Sequence, residues 1–111
     1  SYVNWKWNYT SQERNKLNFQ TGVYGVLYPP NSLHKDTTNQ KKFMTLSPHA
    51  DDIWLYWMIR LNRKFVIWSG FEEKNIETIT YEKNNLRKLN ISENHNDLQI
   101  KNLIKYYGLP Y

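Results

Sequence analysis

Apolar side chains run almost without a break from Ile53 through Trp54, Leu55, Tyr56, Trp57, Met58 and Ile59 to Leu61. A stretch this continuous suits a helix packed on several sides, because a surface helix would return a polar residue every three or four positions. Ser47-Pro48 signals its start: a serine hydroxyl can cap free amides, and proline fits the first helical position, where a missing N–H costs nothing. The expected helix spans about residues 48–62 and carries Asp51 and Asp52 in or near its first turn. It is the core element of the chain.

A second helical period lies near the end, where Ile100, Leu103, Ile104 and Tyr107 fall at i, i+3, i+4 and i+7. Asn96 as cap, Asp97 in the first turn, and Gly108 and Pro110 as terminators bound this helix to about 97–107. Elsewhere the pattern is β-like. Residues 19–28 gather Phe19, Val23, Tyr24, Val26, Leu27 and Tyr28 around Gly22 and Gly25 before Pro29-Pro30 stops the run, which predicts a strand with close backbone approach at its glycines. Shorter candidates lie at 64–69 and 77–81. Residues 1–18 read as an extended or irregular segment half buried through Tyr2, Trp5, Trp7 and Tyr9, and residues 31–46 as a polar connection with a short helical turn before Phe43. These elements predict an α+β domain, a short mixed sheet packed with the central helix (about 48–62) and the C-terminal helix (about 97–107).

Composition narrows the class more than the chemistry. The 111 residues suffice for a single domain with a real core, and 40% hydrophobic content argues against disorder. Five Trp and nine Tyr are a heavy aromatic load that suits sugar faces, base faces and interfaces alike. The net charge of +5 is scattered, with no run of five like charges, so it gives a general bias toward anions and no dedicated polyanion groove. Nucleic acid therefore ranks last among the partners. Without cysteine there is no disulfide framework, in keeping with a reducing cytoplasm. No apolar stretch approaches the ~20 residues that span a bilayer, so any membrane contact is expected to be peripheral. The chain opens at Ser1 with no initiator Met, as expected of a piece of something longer.

Asp51-Asp52 is the best chemical candidate, since two acids abut a strongly apolar helix. Neighbouring helical residues diverge by ~100° about the axis, so one carboxylate can face a cleft while the other bonds locally. Burial against Trp54 and Tyr56 would raise a carboxyl pKa toward the range useful for taking a proton from a sugar hydroxyl, whereas the helix N-terminus would lower it. The bland reading is that both aspartates only complement the helix dipole, for ~0.3–1 kcal/mol each. His49 stands beside them, but His34 and His95 lie at no metal-binding spacing from it, and no metal site is expected. The chain carries no Walker motif, no Gly-x-Ser-x-Gly and no Asp-x-Asp.

The pattern Gly22-x-x-Gly25-Val26-Leu27-Tyr28-Pro29-Pro30, a polar gap, then Leu46-x-Pro48-x-Ala50-Asp51-Asp52-Ile53-Trp54, resembles bacterial glycosyltransferases of capsule and lipopolysaccharide synthesis. Asn94-x-Asn96-Asp97-x-Gln99 ahead of the last helix fits as well. The resemblance implies that residues 1–111 are the acceptor-side, C-terminal part of a larger α/β fold. The missing N-terminal half would hold the nucleotide sugar with Mg2+ or Mn2+, so no cofactor is expected on this chain, and the chain alone should be inactive. It further implies Asp52 as catalytic base, Asp51 as a supporting or hydroxyl-binding group, and Trp54, Tyr28 and His49 lining the site of a lipid-linked saccharide acceptor at the inner face of the membrane. The alternative is a non-catalytic carbohydrate-binding module, with Trp5, Trp7, Trp54 and Tyr28 stacking on sugar rings.

Overall fold

A computed structural model of the chain describes residues 1–7, 10–71, 90–91 and 93–110. The regular elements among these described residues are three 3-10 turns, Tyr2–Asn4, Gly22–Tyr24 and Lys35–Thr38, and three α-helices: α1 (Gln40–Leu46), α2 (Asp51–Leu61) and α3 (His95–Tyr107). There is no strand among the described residues, so the expected α+β mixed sheet is replaced by an all-helical arrangement.

The reason lies in where the backbone donors of residues 19–28 go. Gly22 turns into a 3-10 turn closed by the Gly25 N–H on the Gly22 carbonyl at 3.1 Å, and the Gly22 N–H is taken by the Asp52 carboxylate. Pro29 and Pro30 have no N–H to give. Leu27 is 89% exposed, so no second layer covers this run. β-Propensity measures fit to a half-buried pleated surface, and here that surface does not exist. Residues 64–69 likewise run without a ladder: the Lys64 N–H bonds the Ile59 carbonyl at 3.1 Å, and the Val66 carbonyl accepts from Asn18 Nδ2 at 3.0 Å. The candidate strand at 77–81 lies outside the described residues.

α2 is the central helix that the apolar run predicts, but it starts at Asp51 and not at Pro48. Ser47 caps the end of α1, its N–H bonding the Phe43 carbonyl at 2.9 Å, and its hydroxyl donates to the Ala50 carbonyl at 2.9 Å. Pro48 and His49 form the turn between the two helices. The helix-start signal is thus a helix-to-helix joint, and the N-cap position falls to Ala50, which offers no side-chain acceptor.

Ile53, Trp54, Tyr56, Trp57, Met58 and Ile59 are all buried on α2, and all but Ile59 share one core cluster with Leu103 of α3. Polar edges of the buried aromatics find carbonyls outside the helix. Trp54 Nε1 donates to Thr37 O at 3.0 Å, Trp57 Nε1 to Gly108 O at 3.3 Å, and the Tyr56 hydroxyl to Lys16 O at 2.5 Å. Each bond satisfies a group whose burial would otherwise cost on the order of 1–3 kcal/mol.

α3 begins at His95, two residues ahead of the expected start, after Asn94 in the left-handed region at φ 56. Asn96 is therefore a buried residue of the first turn and not the cap. Gly108 at φ 80 ends the helix as expected, with its N–H on the Ile104 carbonyl at 2.8 Å. Asp97 anchors the start of the chain, accepting from the Ser1 hydroxyl and the Tyr2 N–H, both at 2.7 Å. Among the described residues no helix is long and apolar enough to cross a membrane.

Candidate functional site

The first turn of α2 splits the two acids between different surroundings. Asp51 is exposed, and its Oδ1 accepts from the Asp52 N–H at 3.0 Å, so it serves the unfilled amides of its own helix start. Asp52 is partly buried and points to the 22–28 segment, where its Oδ1 accepts from the Gly22 N–H at 2.9 Å. A β-carbon at Gly22 would stand 3.1 Å from the same oxygen, so glycine is what allows the backbone this close. The close approach expected at Gly22 is present, directed at a carboxylate.

Burial pushes the Asp52 carboxyl above the usual aspartate range; the Gly22 N–H pulls it back in part, and Asp51 adds a smaller upward push. Between desolvation and the opposing Gly22 hydrogen bond, desolvation prevails. Tyr28 and Tyr2 belong to the same patch. Burial raises each phenol, and the Asp52 charge raises each further; at Tyr28 the Gln20 amide opposes the rise while Asp51 adds to it. Gln20 lies beneath them, buried, with Nε2 on the Asp52 carbonyl at 3.3 Å and Oε1 without a partner. The patch thus offers a carboxylate of raised basicity, two phenols and an unfilled amide oxygen.

The other expected residues face elsewhere. Asp51, His49 and Trp54 share a cleft of about 340 Å³ with Phe43, Met44 and Leu55, and neither Asp52 nor Tyr28 lines it. Trp54 is 4% exposed, with its ring against Phe43 and Tyr107 at centroid distances of 6.2 Å, so packing takes up the faces that a sugar would need. The five residues named from the sequence therefore form two groups on different faces of the α2 start. The ~100° step between helical neighbours produces that division.

Two features of the site are not marked in the sequence. Gln99 of α3 is buried and accepts from the His49 N–H at 2.8 Å while donating to the His95 carbonyl at 3.0 Å, which docks α3 on the turn ahead of α2. His95 stands against His49 at a ring distance of 5.8 Å. Separations of about fifty residues hide both contacts, and only the Asn94-x-Asn96-Asp97-x-Gln99 motif hints at the first. Among the described residues no three His, Asp or Glu side chains converge into a metal-ligand set.

No family model matches the chain, and no curated protein or solved structure matches it.

Proposed function

We propose that this chain is the acceptor-side part of a glycosyltransferase, moving a sugar from a nucleotide donor to a sugar hydroxyl in the synthesis of cell-surface polysaccharide. The observation that carries the reading is the 2.9 Å bond from the Gly22 N–H to Asp52, because it joins in space the two sequence motifs on which the resemblance to sugar transferases rests. A carboxylate whose pKa is raised by burial is a better proton acceptor than an ordinary aspartate.

In this reading Asp52 accepts the proton of the acceptor hydroxyl as that oxygen bonds to the anomeric carbon, and the nucleotide leaves with the electron pair of the broken bond. The Gly22 N–H holds the carboxylate in one orientation, and the Tyr28 hydroxyl stands beside it to bind a neighbouring sugar hydroxyl. Asp51, tied to its own helix start, supports and does not react. The donor and its Mg2+ or Mn2+ would be held by a further half of the protein, and a lipid-linked acceptor would bring the enzyme to the inner face of the membrane.

Asp52→Asn in the full-length enzyme is the test. Transfer should fall by at least the ~10²-fold typical of losing a general base, with the circular-dichroism spectrum and unfolding midpoint retained. Full activity in that variant rejects Asp52 as base. A second reading, a carbohydrate-binding module, draws on the aromatic cluster of Tyr2, Trp5, Trp7 and Phe19, in which Trp7 stays 50% exposed. Oligosaccharide binding that is lost on Trp7→Ala and indifferent to Asp52→Asn would favour it.

A further inference from the structure

We propose that the cleft at the C-terminal end of α2 is an anion site that takes a phosphoryl group through Arg60 and Arg63. Arg60 occupies the last turn of the helix and is only 8% exposed. Its Nη1 donates to the Lys64 carbonyl at 2.5 Å, and its guanidinium lies over the Phe65 ring at 4.4 Å. These contacts fix the plane of the guanidinium. Its Nε–H, fully buried, has no hydrogen-bond partner among the described residues. A charged donor left in that state is costly, and Arg60 lines the cleft described next.

Arg63 supplies the second charge. It is exposed, and its backbone sits in the left-handed region at φ 56, an uncommon conformation for a non-glycine residue, which turns the chain at the end of α2. Both arginines line one cleft of about 310 Å³, whose other walls among the described residues are Leu61, Phe65, Leu109 and Pro110. Among the described residues no acid lines this cleft, and no carboxylate pairs with either guanidinium. The negative end of the α2 dipole opposes an anion here with roughly half a charge, against two full positive charges from the arginines. Two guanidinium forks match the charge and the oxygen spacing of a phosphate dianion better than those of a single carboxylate. The apolar walls leave room for the group that carries the phosphate.

The site is separate from the Asp52 patch. Arg60 follows Asp52 by eight residues on one helix, a rise of ~12 Å. Phosphoryl binding therefore stands or falls independently of the sugar-transfer reading.

The test is an NMR titration of the 111-residue chain, following backbone amides and the arginine Nε–H signals. One arm uses inorganic phosphate and pyrophosphate, the other phosphatidylcholine vesicles with and without phosphatidic acid. Saturable shifts centred on Arg60, Arg63, Phe65 and Leu109 are expected. Arg63→Gln, an exposed change that leaves the core intact, should weaken binding about tenfold or more. Arg60→Lys, which keeps the charge and removes the Nε–H, should weaken it as well. Binding in the soluble arm identifies a free phosphate compound, and Arg63-dependent binding to vesicles alone identifies a lipid headgroup. The proposal is overturned if neither arm binds, if Arg63→Gln binds as the parent does, or if shifts spread without saturation over the 15 Lys and Arg side chains.

Discussion

Replacing Gly22 by Ala probes the bond that ties the two halves of the candidate site together. The added β-carbon would sit 3.1 Å from Asp52 Oδ1, tighter than ordinary contact, so the carboxylate must retreat by a few tenths of an ångström from an amide now at 2.9 Å. A hydrogen bond to a charged group contributes about 1.5–3 kcal/mol, and the exposure of Gly22 lets water replace part of it, leaving an expected loss of about 1–2 kcal/mol at neutral pH. The sign with pH follows from the raised Asp52 pKa. An acid whose folded pKa lies above its unfolded value destabilises the fold while ionised, and that cost disappears as pH falls through the folded pKa. Removing the amide that favours the anion widens the gap, so the Gly22→Ala deficit should be greatest near neutrality and shrink on acidification. Carbon-detected titration of the Asp52 carboxyl gives the pKa directly, and urea unfolding at several pH values gives the stability. An Asp52→Asn background should abolish most of the Gly22→Ala effect. If Asp52 titrates at the same pH in parent and variant, the Gly22 amide does not hold the carboxylate and the coupling is refuted.

Gln99→Leu removes the short bonds to the His49 N–H and the His95 carbonyl, with an expected cost of about 1–3 kcal/mol and faster amide exchange at His49; unchanged exchange there would show that α3 does not dock the turn before α2. Leu103→Ala, at a fully buried core position, should cost about 2–5 kcal/mol in urea unfolding, more than any exposed apolar change such as Leu27→Ala. Asp36 accepts from Lys42 Nζ at 2.6 Å and from the Tyr107 hydroxyl at 2.8 Å, and these hydrogen bonds hold its carboxyl below the usual range. Its contribution is present above the ordinary aspartate pKa of about 3.9 and lost as pH falls through the lower folded value, so Asp36→Asn should flatten the acid limb of a stability–pH curve.

Where the sequence reading succeeds, the signal is burial. The apolar run from Ile53 to Leu61 and the period through Ile100, Leu103, Ile104 and Tyr107 both correspond to helices, the first largely buried and the second anchored by Leu103 while Ile104 stays exposed. It fails where residue type has two uses. Val23, Val26 and Leu27 have strand-forming side chains, yet Gly22 gives its amide to a carboxylate thirty residues away, and periodicity contains no trace of that bond. Ser47-Pro48 suits a helix start, yet the serine N–H closes α1 instead. The site divides in the same way: the acids were legible as a pair, while the partner that distinguishes them was not.

That distinction follows from how α2 is packed. Seven of its eleven residues are buried, which leaves little of the helix beyond its first turn free to do chemistry while the rest is fixed in the core. A carboxylate placed on such a turn moves only as its own side chain rotates, and Gly22 restricts that rotation from outside the helix. Among the described residues Asp51 lacks this restraint and accepts from its neighbour's amide. Rigid support on one side and a close backbone amide on the other are what preorganise an acid for a single orientation. Adjacent aspartates alike in sequence thus differ in how firmly each is oriented, and the difference is made by a glycine that has no side chain of its own.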